Sequence, residues 1–133
     1  MKILVTGSRE WCDEALVAKV LAKYPKGTIL VHGDAHGADR IAAKVGRKLG
    51  FDVRPYPANW DAYGNAAGRL RNQEMLDKEG PFDEALAFHD DPNLGKGTFD
   101  MVIRLKRAKT STRVFSHAFP EGKLLDEVDS SPV

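Results

Sequence analysis

Short apolar runs alternate along the chain with longer stretches in which apolar residues recur every three or four positions. Lys2 to Thr6 is an apolar run that Gly7 ends, which predicts a buried strand. From Trp11 to Tyr24 the stripe Ala15, Leu16, Ala18, Val20, Leu21 predicts a helix, with Asp13 and Glu14 near its start and Pro25-Lys26-Gly27 as its stop. Thr28 to His32 reads as a second strand, Ala38 to Leu49 as a second helix and Phe51 to Tyr56 as a third strand. Asn59 to Gly64 reads as a polar and aromatic loop. A third helix over Ala66 to Lys78 is broken by Gly80-Pro81. Glu84 to Phe88 is a fourth strand, Asp90 to Lys96 a turn-rich loop, Thr98 to Lys109 a fourth helix and Thr112 to Ser116 a fifth strand.

Alternation of strands and helices implies parallel strands joined by right-handed crossovers. The expected fold is α/β: a single Rossmann-like three-layer domain, with a mainly parallel sheet of about five strands and helices on both faces. It occupies residues 1–116, and 117–133 is expected to be an acidic, poorly ordered C-terminal tail.

Composition changes this picture little. The 133 residues are 42% hydrophobic and 29% charged, as in an ordinary globular domain. No run approaches the roughly 18–20 apolar residues of a membrane span. The single cysteine, Cys12, allows no internal disulfide and suits a cytoplasmic protein. The opening Met1-Lys2-Ile3-Leu4-Val5 is too short for a secretory signal. The net charge of +1 argues against a nucleic-acid partner. The tail holds four carboxylates against one lysine, so −3, which leaves the body at +4 and mildly suited to an anionic ligand.

Ligands of such sheets bind beyond the carboxyl ends of the strands, and four strand ends here carry chemistry. In Thr6-Gly7-Ser8-Arg9, Gly7 admits backbone N–H groups to an anion, Ser8 can donate a hydrogen bond and Arg9 can clamp a phosphate. In His32-Gly33-Asp34-Ala35-His36-Gly37-Ala38-Asp39, four residues are of metal-ligating type. The glycines, Gly33 among them, point instead to close backbone approach to a ligand, with Asp39 near a helix start. No metal or cofactor is expected. Beyond the third strand, Trp60 offers a face for a base, and Arg71 and Asn72 can reach a phosphate or ribose. In Gly95-Lys96-Gly97-Thr98-Phe99-Asp100, backbone N–H groups and the Thr98 hydroxyl can hold a phosphate, with Asp100 close by. As a bare pattern each also has a plain structural reading: a capped turn, a dipole residue, a solvated helix face.

Taken in order, these residues resemble a known family. Gly7-Ser8-Arg9 with Trp11, His32-Gly33 with Gly37-Ala38-Asp39, Pro57-Ala58 with Trp60, Gly68 with Arg71-Asn72 and Met75, Ala87-Phe88 and Gly97-Thr98 resemble the YspA-like branch of the SLOG superfamily over roughly residues 2 to 116. That superfamily includes the LOG-type phosphoribohydrolases, whose motifs Arg-Lys-x-x-Met and Gly-Gly-x-Gly-Thr-x-Glu correspond here to Arg71-Asn72-x-x-Met75 and Gly95-Lys96-Gly97-Thr98-Phe99-Asp100. The resemblance implies that Arg71 and Asp100 occupy the catalytic positions. Asn72 stands where the family has lysine, and Asp100 is one methylene shorter than glutamate. It therefore implies a sensor or binding domain for a nucleotide-derived small molecule, a nucleoside monophosphate or an ADP-ribose-like ligand. The alternative is a phosphoribohydrolase that cleaves the N-glycosidic bond of a nucleoside monophosphate. A DNA-processing role like that of the DprA relatives is disfavoured by the charge, and a homodimer is expected from the resemblance alone.

Overall fold

The computed structural model describes residues 1–125. In chain order it contains β1 (Lys2–Gly7), α1 (Glu14–Leu21), β2 (Ile29–His32), α2 (Ala38–Lys48), β3 (Asp52–Pro55), α3 (Trp60–Tyr63), α4 (Ala67–Glu79), β4 (Glu84–Phe88), α5 (Gly95–Arg107), β5 (Thr112–Phe115) and β6 (Lys123–Leu124). The sheet order is β3-β2-β1-β4-β5-β6, parallel throughout except for β6, which pairs antiparallel with β5. From β1 the chain winds outward to β2 and β3, then returns to place β4 on the other side of β1. The direction of winding reverses between β1 and β4, and a crevice opens at such a point.

Alternation along each strand divides the core. Ile3, Val5, Leu30, Leu86 and Phe88 face α1 and α2, where Val17, Leu21, Ala42 and Val45 meet them. Leu4, Val31 and Ala85 face α4 and α5, packing on Met75, Met101 and Leu105. The central strands β1, β2 and β4 are thus covered on both sides, which explains their continuous apolar runs. The two layers of helices and the sheet make the expected three-layer α/β domain.

Several boundaries differ from the sequence expectation. The first helix starts at Glu14 rather than Trp11, because the Asp13 carboxylate accepts from the Leu16 N–H at 3.0 Å and caps it. Trp11 is buried in the preceding loop, tilted on Phe88 and stacked on His117 at 4.8 Å. The loop Asn59 to Gly64 contains a helical turn, since Asn59 Oδ1 accepts from the Ala62 N–H at 3.1 Å. The helix expected from Thr98 starts earlier, at Gly95, after Leu94 in a left-handed conformation.

The tail expected from His117 onward supplies a sixth strand, and Leu125 is buried against Leu94, Val102 and Val114. The rest of the expected acidic tail, 126–133, lies outside the described residues.

Two polar clusters hold the frame. Glu79, buried at the end of α4, accepts from Tyr56 Oη at 2.8 Å, Arg54 Nη1 at 2.9 Å and Lys2 Nζ at 3.4 Å, tying α4 to β1 and β3. His117 lies between two carboxylates, Nδ1 at 2.8 Å from Asp90 Oδ2 and Nε2 at 2.8 Å from Asp13 Oδ2. It joins the segment after β5 to the cap of α1 and the loop after β4. Among the described residues no helix is long and apolar enough to cross a membrane.

Truncating Glu79 to Ala leaves two cations and a phenol without their shared acceptor. It is expected to cost about 2 kcal/mol in urea unfolding, less than a fully buried pair because Arg54 is partly exposed. The hydrogen bonds from Asp90 and Asp13 raise the His117 pKa above that of a free histidine. Its stabilising contribution is therefore complete below the free-histidine pKa and lost as pH rises through the raised value. An NMR titration should show that raised midpoint, and His117→Ala should remove this part of the pH dependence of stability.

Candidate functional site

A cavity of about 860 Å³ opens at the carboxyl ends of the strands, beside the β1–β4 reversal. All twelve residues singled out from the sequence line it: Gly7, Ser8, Arg9, Gly33, Asp39, Trp60, Arg71, Asn72, Gly95, Gly97, Thr98 and Asp100. Four segments far apart in the chain meet there because parallel strands place all their following loops on one edge of the sheet.

The floor is backbone. At Gly7 a Cβ would sit 2.4 Å from the Phe88 carbonyl oxygen and 2.6 Å from the Ala38 Cβ. The Ser8 N–H donates to Phe88 O at 2.8 Å, and Ser8 O accepts from the Ala38 N–H at 3.0 Å. Ser8 Oγ accepts from the Glu10 N–H at 3.0 Å, so its own proton remains available to donate. Arg9 lies over the Trp60 ring at 5.6 Å from its centroid, and Trp60 is half exposed.

Asp39 turns inward. Its Oδ2 accepts from the N–H groups of Gly33 at 3.0 Å and Ala35 at 3.3 Å, and the carboxyl is buried. It thereby shapes the loop after β2. Burial pushes its pKa up to about 6, against the pull of those N–H bonds and of Arg71.

Arg71 reaches across from α4. Its Nη1 donates to the Gly33 carbonyl and, at 3.4 Å, to Tyr56 O, while Nε donates to Asn72 Oδ1 at 3.0 Å. A Cβ on Gly33 would lie 2.6 Å from the guanidinium carbon, so a side chain there would displace the end of Arg71 from this seat. Asn72 is buried and bridges two helices: its Nδ2 donates to Asp100 Oδ2 at 3.0 Å and to Gly97 O at 3.4 Å. Asp100 also takes Arg104 Nε at 2.8 Å, one turn along α5, and Arg104 Nη1 donates to Gln73 Oε1 at 2.7 Å. Burial would raise the Asp100 pKa, but the Arg104 and Asn72 bonds overcome it and hold the carboxylate low and ionised.

The N-terminus of α5 closes the far side. No side chain caps it, and its first-turn residues Gly95, Lys96, Gly97 and Thr98 line the cavity. Five cationic residues line the cavity, Arg9, Arg69, Arg71, Lys96 and Arg107, against the carboxylates Asp39 and Asp100. With an open helix N-terminus, that balance favours an anion. Among the described residues no group of His, Cys, Asp and Glu is arranged to hold a metal ion.

Sequence reasoning passed over His89 and Arg107. His89 directly follows the apolar run of β4, and strand-end position alone could have drawn attention to it. Arg107 lies two turns beyond Phe99 on the same face of α5, too far from the glycine loop for a local motif to include it.

The Asp39 carboxyl should titrate near pH 6 in a carboxyl-carbon NMR experiment. Its folded pKa is raised, so its contribution to stability is present below about pH 4 and lost as pH rises to about 6 and above. Asp39→Asn should abolish that slope.

Residues 1–63 match the family described as YspA, cpYpsA-related SLOG. The Gene 61 protein of Mycobacterium phage D29 is 43% identical, in an alignment that spans 56% of this chain and 67% of the phage protein. With the reversal of the sheet at β1 and β4 and the glycine-bearing strand ends around one cavity, these matches show that the chain belongs to the YspA, cpYpsA-related SLOG family.

Proposed function

We propose that this domain binds a nucleotide-derived small ligand, a nucleoside monophosphate or an ADP-ribose-like molecule, and serves as a sensor or binding domain. The observation that carries the reading is the uncapped N-terminus of α5, which opens with Lys96 into a cavity lined by four further cations. A phosphate meets unsatisfied N–H groups and positive charge there. Trp60 and Arg9 supply a flat cationic-aromatic surface for a base at the rim. The cavity volume leaves room for a ligand larger than a mononucleotide.

One observation favours a hydrolytic reading as the second choice. Asp100 is ionised and partly exposed in the cavity, with Oδ2 held by Arg104 and Asn72. A carboxylate so placed can stabilise the oxocarbenium-like state as the N-glycosidic bond breaks, the bonding pair leaves with the base and water adds at the anomeric carbon. Binding is preferred because Asp100 and Arg71 are both tied to protein partners.

Thermal-shift and calorimetric titrations with AMP and ADP-ribose test binding. A ligand that binds should raise the melting temperature, and Lys96→Ala should weaken it roughly three- to tenfold, more at low salt than at high. Chromatography of an AMP incubation tests turnover. Adenine release that Asp100→Asn abolishes would replace the binding reading with the hydrolytic one.

A further inference from the structure

We propose that His89 contacts the ligand, its Nε2–H donating a hydrogen bond to a phosphoryl oxygen seated at the N-terminus of α5. This rests on the nucleotide reading and goes beyond it by naming a donor and the group that it meets.

His89 lines the cavity with Gly95, Lys96, Gly97 and Thr98. Its backbone is fixed, because its N–H donates to Phe115 O at 3.0 Å across the sheet. Its ring is fixed as well. The Asp91 N–H donates to Nδ1 at 3.1 Å, so Nδ1 carries the lone pair and the proton of the neutral ring resides on Nε2. Burial lowers the His89 pKa despite the opposing pull of Asp91 and Asp90, which keeps the ring neutral near pH 7.

Nε2 lies beside Gly95, where an added Cβ would come within 3.3 Å of it. Gly95 has φ +64°, so its lack of a side chain serves both the turn and the open ring edge. Among the described residues no protein acceptor takes the Nε2 proton. The nearby carboxylates are engaged elsewhere: Asp90 with the His117 N–H and ring, and Asp91 with the Asn93 N–H at 2.8 Å. Lys96 adds a cation and no acceptor. A fixed N–H donor beside unsatisfied helix N–H groups is complementary to an oxygen of an anion.

His32 provides the contrast. It ends β2 as His89 follows β4, and the Asp34 N–H donates to its Nδ1 at 2.9 Å in the same i to i+2 turn. Its Nε2, however, is sealed in the interior without a partner among the described residues, and the residue does not line the cavity. The same local device is closed at one strand end and open to the cavity at the other.

Binding of AMP and of adenosine to the wild-type protein, His89→Ala and His89→Gln tests the proposal by calorimetry. His89→Ala should weaken AMP about tenfold and leave adenosine unchanged, and the Gln amide should restore part of the loss. Nitrogen NMR of the imidazole should place the proton on Nε2 in the free protein and show AMP shifting Nε2 more than Nδ1. Equal loss for both ligands, or none for AMP, would overturn the role of His89 while leaving nucleotide binding intact. A wild-type protein that binds neither AMP nor ADP-ribose would overturn the nucleotide reading and this proposal together.

Discussion

The site depends on one backbone contact, where Gly37 passes Ser8 and Arg9. A Cβ on Gly37 would lie 2.2 Å from Ser8 O and 2.6 Å from Arg9 backbone atoms, and the residue has φ +79°. No other residue type satisfies both conditions without moving the chain. That approach lets the Ala38 N–H reach Ser8 O, and the adjoining Gly7 lets the Ser8 N–H reach Phe88 O. The ends of β1 and β4 and the start of α2 are thereby locked through main-chain atoms, with no flexible side chain between them. Arg9, Asp39 and His89 each lie within two residues of a locked position. Their relative placement inherits the stiffness of the sheet, as a site needs if it is to hold a ligand in one geometry.

Above that floor a polar relay links α4 to α5. It runs from Arg71 through Asn72, Asp100 and Arg104 to Gln73. Asn72 is the hinge of the arrangement, since it accepts from a cation on one side and donates to an anion on the other. A lysine there could donate to Asp100 but could not accept from Arg71. The amide therefore orders Arg71 and Asp100 as a unit and leaves the carboxylate partly neutralised by Arg104. With Asp39 facing the protein and Asp100 paired, the charge presented to a ligand is predominantly positive.

The sequence made much of this readable because parallel strands convert chain order into position. Apolar runs of four to six residues, each ended by glycine or a polar cluster, mark strands. Once the strands are parallel, every segment that follows one must share an edge, which is why Arg9, Gly33, Asn72 and Thr98 could be grouped without coordinates. What escaped was set by pairwise contact. Trp11 read as the start of a helix, because its aromatic side chain suits either the stripe of α1 or a stack on His117, 106 positions later. The sixth strand escaped because two residues carry no periodicity. The inward turn of Asp39 depends on the shape of the loop it stabilises, and pattern alone gives only its place near a helix start.

The short β6 has a consequence for the surface of the molecule. A sheet that ends in a bare strand offers a row of unpaired amides and carbonyls to any extended chain that passes. Here β5 is covered in part by β6, held by the Arg113–Leu124 and Val114–Lys123 pairing. At the other margin β3 ends in Pro55, which has no N–H, and carries the Arg54–Asp52 ion pair at 2.8 Å. Both margins are poor templates for strand addition, so a domain with a strongly apolar sheet is guarded against growing into a larger one.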